Sequence, residues 1–191
     1  MSAVLSAGFA DPVRDAQRCF RAVLDAMSRP GQVRAVPSPD VPQPLAPAAA
    51  AVLLALVDHE TPLWLDPALE AGRTWIDFHA GAPMVAEPDR AAFVMTPTLP
   101  ALDRLNAGTH ETPETSATVI LQVASLEHGT PWRLSGPGLR IPATLSVAGL
   151  PDGFAAAWRT NRGLYPCGID LILCCGDRLA ALPRTVSIEE A

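Results

Sequence analysis

Not one lysine occurs in this sequence; all 14 basic side chains are arginine. That absence excludes whole classes of mechanism, because pyridoxal-phosphate enzymes, class I aldolases and P-loop nucleotide hydrolases each need a lysine amine as covalent partner or phosphate clamp. Anions are left to the planar arginine fork and to backbone amides. Cysteine is sparse, with four residues at 19, 167, 174 and 175 that show neither CxxC spacing nor the density of a disulfide scaffold. Cys174 and Cys175 fall inside an apolar run and read as compact core residues. The four histidines, His59, His79, His110 and His128, lack the short spacings of a metal site, so no metal is expected. Excess positive charge is missing too: a net charge of −6 and a pI near 5.1 speak against nucleic acid or an anionic membrane as partner. The longest apolar stretch, Leu45 to Val57, is shorter than the roughly 20 residues that span a bilayer, and the first residues carry no basic leader. A cytoplasmic protein is expected.

With 49% hydrophobic residues in 191, the chain can fill one core and is short for two, so residues 1–191 are read as a single domain. Asp11-Pro12 supplies an N-cap and a proline at the first helical position, predicting a helix to about Ser28. Its apolar face is read as Val13, Phe20, Val23, Leu24 and Met27, with Arg14, Arg18, Arg21 and Asp25 on the far side. That arginine stripe is either a solvated face with an Arg21–Asp25 pair or a surface for a partner subunit. Arg29-Pro30-Gly31 stops the helix. Five prolines between Pro37 and Pro47 predict an extended surface connector, and Leu45–Val57 a helix buried on most sides. Strands are predicted at Leu63–Leu65, Thr74–Phe78, Ala91–Met95, Thr118–Val123, Trp132–Leu134, Arg140–Val147 and Ile169–Cys175, with helices near Leu99–Asn106 and Phe154–Asn161. Several strands are apolar on both faces, which points to an α/β sandwich with a buried central sheet.

The chemistry-bearing motifs are few. Ser135-Gly136-Pro137-Gly138 resembles a phosphate loop, yet it leads toward another strand and reads better as a tight turn. His110, Glu111 and Glu114 sit in a polar loop, with no second feature to fix a base or nucleophile beside them. Asp170 opens an apolar strand and needs a cap or a partner, for which Arg162 and Arg184 are candidates. No Walker motif, nucleophile elbow or kinase signature is present.

In their order and spacing these segments resemble the PhnH family, a subunit of the bacterial carbon–phosphorus lyase core complex. The resemblance runs through Gly8-Phe9, Asp11-Pro12-Val13, Phe20–Leu24, Ala26–Gly31, the Leu53–Leu65 stretch and Phe78-His79-Ala80-Gly81. It continues through Gly108, Pro113–Ala117, Gly136–Leu139, Tyr165–Asp170 and Leu182-Pro183-Arg184-Thr185. It implies a three-layer α/β sandwich with a central mixed sheet, similar to the large domain of pyridoxal-phosphate-dependent transferases but without the cofactor, since no lysine can hold it. It also implies a homodimer that joins the other core subunits PhnG, PhnI and PhnJ. That complex transfers an alkylphosphonate to the ribose of ATP with release of adenine, and this chain is expected to support the assembly and not to catalyse alone. No cofactor is expected, and catalytic residues are not assigned. Anion-binding or interface candidates are Arg29, Arg140 and Arg162 beside glycine-rich turns, with His79 and Asp170. A stand-alone enzyme or binding protein for a small phosphorylated or phosphonate ligand is the alternative.

Overall fold

The computed structural model describes residues 6–191. The first helix, α1 (Pro12–Ser28), begins as its sequence dictates, with the Asp11 carboxylate accepting from the Arg14 amide at 3.1 Å and proline in the first turn. The Asp15 carboxylate returns the favour by accepting from the Asp11 amide at 3.0 Å. The buried face of α1 differs from the predicted one. Cys19, Val23 and Ala26 point inward, whereas Val13, Phe20 and Leu24 are 81%, 49% and 57% exposed. The physical reason lies in the neighbour: α2 (Pro47–Leu56) presents an alanine-rich surface, and two helices approach closely only through small residues. The apolar sector of α1 is therefore wider than its contact. The expected Arg21–Asp25 pair does not form either, because Asp25 is taken by Arg29 at 2.8 Å and by Arg34 of β1 (Arg34–Ala35).

Ala48 to Leu53 of α2 are fully buried, so this helix is enclosed between α1 and the central sheet. The proline-rich segment before it is no free spacer: Leu45 is buried, and the Gln122 side chain accepts from the Ala46 amide at 2.7 Å and donates to the Pro44 carbonyl at 3.1 Å. A second correction concerns Thr74–Phe78, predicted as a strand. It belongs to α3 (Arg73–Ala80), where Trp75 and Ile76 are both buried, Arg73 pairs with Asp77 one turn on, and Gly81 caps the end with φ of 62°. A third concerns Leu99–Asn106, which holds only a single 3-10 turn at Leu102–Arg104; its leucines at 99, 102 and 105 recur every third residue and all face inward.

The central sheet has six strands in the order β1-β8-β7-β4-β3-β2, formed by β2 (Leu63–Leu65), β3 (Phe93–Thr96), β4 (Thr118–Gln122), β7 (Asp170–Cys175), β8 (Arg178–Leu182) and β1. Strands β2, β3, β4 and β7 run parallel, with Leu63, Phe93, Thr118 and Asp170 in register; β8 runs opposite to them, and β1, antiparallel to β8, runs with them again. Side chains alternate between the faces. Ile120, Ile172, Cys174 and Ala181 meet α1, α2 and α3, whereas Val119, Leu121, Leu171 and Leu173 meet the other layer. That layer holds α4 (Phe154–Arg162) and a three-stranded antiparallel sheet, β6-β5-β9, from β5 (Ser125–Ser135), β6 (Ala143–Ala148) and β9 (Ser187–Glu190). Strand β6 starts later than the predicted Arg140, leaving Arg140 in the turn. Among the described residues no helix is long and apolar enough to cross a membrane.

Candidate functional site

Two segments distant in sequence, Pro113–Ser116 and Pro166–Asp170, meet at Arg184, just beyond β8. Its amide and Nε donate to the Asp170 carboxylate at 2.7 and 3.1 Å. Nη1 donates to the Pro113 and Pro166 carbonyls at 3.1 and 3.2 Å, and Nη2 to the Ser116 hydroxyl and again to Asp170. A guanidinium has five N–H donors, and here every one is spent inside the protein. The two charged side chains are only 16% and 17% exposed, so the pair is nearly desolvated and satisfied throughout. Around it, the Gly168 amide donates to the Ala107 carbonyl, the buried Asn161 amide brackets Ile169 through both its donor and its acceptor, and Gly108 lies where a Cβ would come within 2.9 Å of the Pro113 carbonyl.

Position reinforces this reading. The cluster sits at the amino ends of the parallel strands, whereas open α/β sheets bind ligands beyond the carboxyl ends. At the carboxyl ends of this sheet the chain's own segments cross much of the space, beside a cavity of about 180 Å³ at the β7–β8 turn lined by Glu127, Cys175, Asp177 and Arg178. Asp66 accepts from the Thr96 hydroxyl at 2.7 Å and caps the Ala68 amide, Gln122 pins Pro44 and Ala46, and the Ala48 amide donates to the Gly176 carbonyl.

The remaining candidates divide. His79 lies in the last turn of α3, not at a strand end. Its Nε2 donates to the Ser6 carbonyl at 3.1 Å beside the Trp75 indole, which binds the same oxygen at 3.2 Å. It is a clasp on the segment before α1. His110 approaches the Cys167 thiol at 3.9 Å, but Cys167 is buried and His110 exposed. Glu111 and Glu114 stay on the exposed loop.

Arg29, Arg140 and Arg162 surround one feature, the turn Gly136-Pro137-Gly138. A Cβ on Gly138 would stand 2.2 Å from the Ser28 carbonyl, next to Arg29. A Cβ on Gly136 would stand 3.2 Å from the Thr185 carbonyl, to which Arg162 Nε donates at 3.2 Å. Arg140 leaves the same turn. All three side chains are exposed; Arg29 is engaged with Asp25, and Arg140 has no acidic partner among the described residues. Sequence reading named these arginines separately but carried no signal that one turn gathers them. It gave Ser116 no role beyond its place in the Pro113–Ala117 segment, and Asn161 none beyond the helix predicted at Phe154–Asn161.

A cavity of about 500 Å³ runs between the Leu102–Arg104 turn and α4. Its apolar walls are Leu102, Leu105, Ala107, Ala157 and Leu164; Asn161 is bonded to Ile169 and the Thr160 hydroxyl to the Ala156 carbonyl, while the exposed Asp103 carboxylate at its edge has no bonded partner among the described residues. Burial pushes the Cys19 thiol up to about 12, and burial with two neighbouring thiols raises Cys174 further, so neither supplies a thiolate at neutral pH. Among the described residues no three histidine, cysteine or acidic side chains come together as a metal site.

The class so defined is an α/β fold whose polar centre holds its own segments together. Residues 7–189 match the family model described as bacterial phosphonate metabolism protein (PhnH), and the chain belongs to that family. It is 40% identical over 194 aligned positions to the alpha-D-ribose 1-methylphosphonate 5-triphosphate synthase subunit PhnH of Rhizobium meliloti, covering 98% of this chain and 97% of the relative. It is 35% identical to HtxG of Stutzerimonas stutzeri, described as a candidate C-P lyase subunit, with 90% and 85% covered.

Proposed function

We propose that this chain is a subunit of the ribose 1-methylphosphonate 5-triphosphate synthase of carbon–phosphorus lyase, and that it contributes assembly and surface to the reaction without catalysing it alone. In that reaction a phosphonate oxygen attacks C1 of the ribose of ATP, the bond to adenine breaks, and adenine leaves with a proton. The observation that carries the reading is Arg184: the segments shared with the family converge on a guanidinium with no donor left for a ligand. A catalytic centre keeps such groups open toward the reacting atoms. The synthase must hold a triphosphate and a phosphonate, and with no lysine an anion contact from this chain must come from arginine, for which the set around the Gly136–Gly138 turn is one candidate. The reading includes a homodimer, partnership with PhnG, PhnI and PhnJ, and a cytoplasmic setting.

The test is adenine release from ATP and methylphosphonate, followed chromatographically. The isolated chain is expected to release none, and the chain with its sister subunits to restore release. Turnover by the isolated chain would overthrow the reading in favour of a stand-alone enzyme.

A further inference from the structure

Helix α1 carries a ridge that its own fold does not cover. Val13, Phe20 and Leu24 recur at i, i+7 and i+11, so they form one stripe, with Gln17 between them. Beside the ridge lies a groove of about 250 Å³ lined by Gly8, Phe9, Pro12, Ala16, Leu54 and His79. Beyond the groove stands Phe78 of α3, 68% exposed and edge-on to His79 at 5.0 Å. Two apolar ridges with a groove between them match the surface that receives an amphipathic helix. Leaving aromatic and aliphatic side chains of this size in water forfeits burial that a partner would recover.

The border of this surface says what covers it. On the solvent side of α1 the ridge is edged by Arg14, Arg21 and Arg18. Arg14 and Arg18 make only long local contacts, 3.6 Å to Asp11 and 3.5 Å to Asp15, and Arg21 has no acidic partner among the described residues. A chain of net charge −6 thus presents a basic edge at this ridge. A second copy is a poor fit. A two-fold axis that sets α1 antiparallel to its mate brings the arginine edge against itself. One that keeps the helices parallel brings that edge toward α3, where Asp77 is already held by Arg73 at 3.2 Å.

We propose that the α1 ridge, the groove and Phe78 dock an amphipathic helix of a different subunit, whose apolar stripe is bordered by aspartate and glutamate. This rests on the subunit reading above. The experiment co-expresses the tagged full chain with the other synthase subunits and compares wild type with Phe20→Asp and Arg21→Glu, each checked for folding by circular dichroism. Wild type is expected to recover the partners, Phe20→Asp to lose about tenfold or more of them while keeping its own oligomeric state, and Arg21→Glu to weaken recovery most at low salt. Undiminished recovery by both folded variants would overturn the docking surface and leave the subunit reading standing. Conversion of Phe20→Asp to a monomer would assign the ridge to a second copy instead. Failure of wild type itself to recover any partner would reject the subunit reading.

Discussion

The two faces of the central sheet solve the same packing problem with different materials. The face covered by α1, α2 and α3 relies largely on small residues: Ala48 to Ala51, Ala26 and Cys19 let helices lie close, with the buried Trp75 indole tied to the Ser6 carbonyl. The face covered by α4 and the small sheet is built around aromatic side chains, Trp132, Phe154 and Trp158, and is closed at its edge by the Arg184 cluster and by the Trp158 indole donating to the Val186 carbonyl at 2.8 Å. The first face is held chiefly by area and the second by directed bonds as well; both leave apolar side chains outward, Val13, Phe20 and Leu24 on the first and Ile141, Leu164 and Tyr165 on the second. Sensitivity to single substitutions should therefore be concentrated on the second, while the ridge proposed for a partner lies on the first.

The sharpest way to break this contrast is at its polar centre. Arg184→Ala leaves the nearly buried Asp170 carboxylate without its charged partner, keeping only the bond from the backbone amide of residue 184, with Ser116 and two carbonyls abandoned. A cost of about 3–5 kcal/mol is expected, lowering Tm by roughly 10 °C for a domain of this size; calorimetry showing a drop under 2 °C would refute the role. Next is Gly138→Ala. With φ of +84° and a Cβ directed at the Ser28 carbonyl, it has to pry the Gly136–Gly138 turn from the Arg29 turn. About 2 kcal/mol is expected from denaturant unfolding.

The helical face has its own signature, in pH. The Cys19 thiol is raised from 9.0 to about 12 by burial, so the folded state holds its proton where the unfolded state releases it. That contribution is complete below pH 9 and is lost as pH rises toward 12. About 1 kcal/mol should disappear by pH 10, and Cys19→Ala should flatten the slope in a pH series of urea melts. Smallest of all is Leu24→Ser on the outward ridge, expected within about 0.5 kcal/mol of wild type. A loss like that of Arg184→Ala would show the ridge to be core.

Much of this was legible in the sequence, for reasons that differ by element. Asp11-Pro12 fixes the start of α1 through local chemistry, and the doubly apolar runs at Thr118 and Ile169 mark central strands because both faces are covered. The strand predicted at Thr74–Phe78 failed because Trp75 and Ile76 are adjacent and both buried, which a short window cannot distinguish from a strand. Val13, Phe20 and Leu24 were placed inward because periodicity locates an apolar sector without saying which edge of it meets the core. Asp170 announced its need for a partner, and Arg184 was one of two arginines named for it. That the same guanidinium would also hold Pro113, Ser116 and Pro166 depends on contacts up to 71 residues apart in sequence, which no local pattern encodes. Arg29, Arg140 and Arg162 were named singly, and their gathering around one turn required the β5–β6 connection to fold back on the end of α1.

The account stands or falls on whether the chain works as part of an assembly. Co-expression of the tagged chain with its sister synthase subunits, followed by native mass measurement of the purified material, tests this most directly. A stoichiometric complex containing the chain is the predicted result; a chain that purifies alone while the others assemble without it would contradict the account.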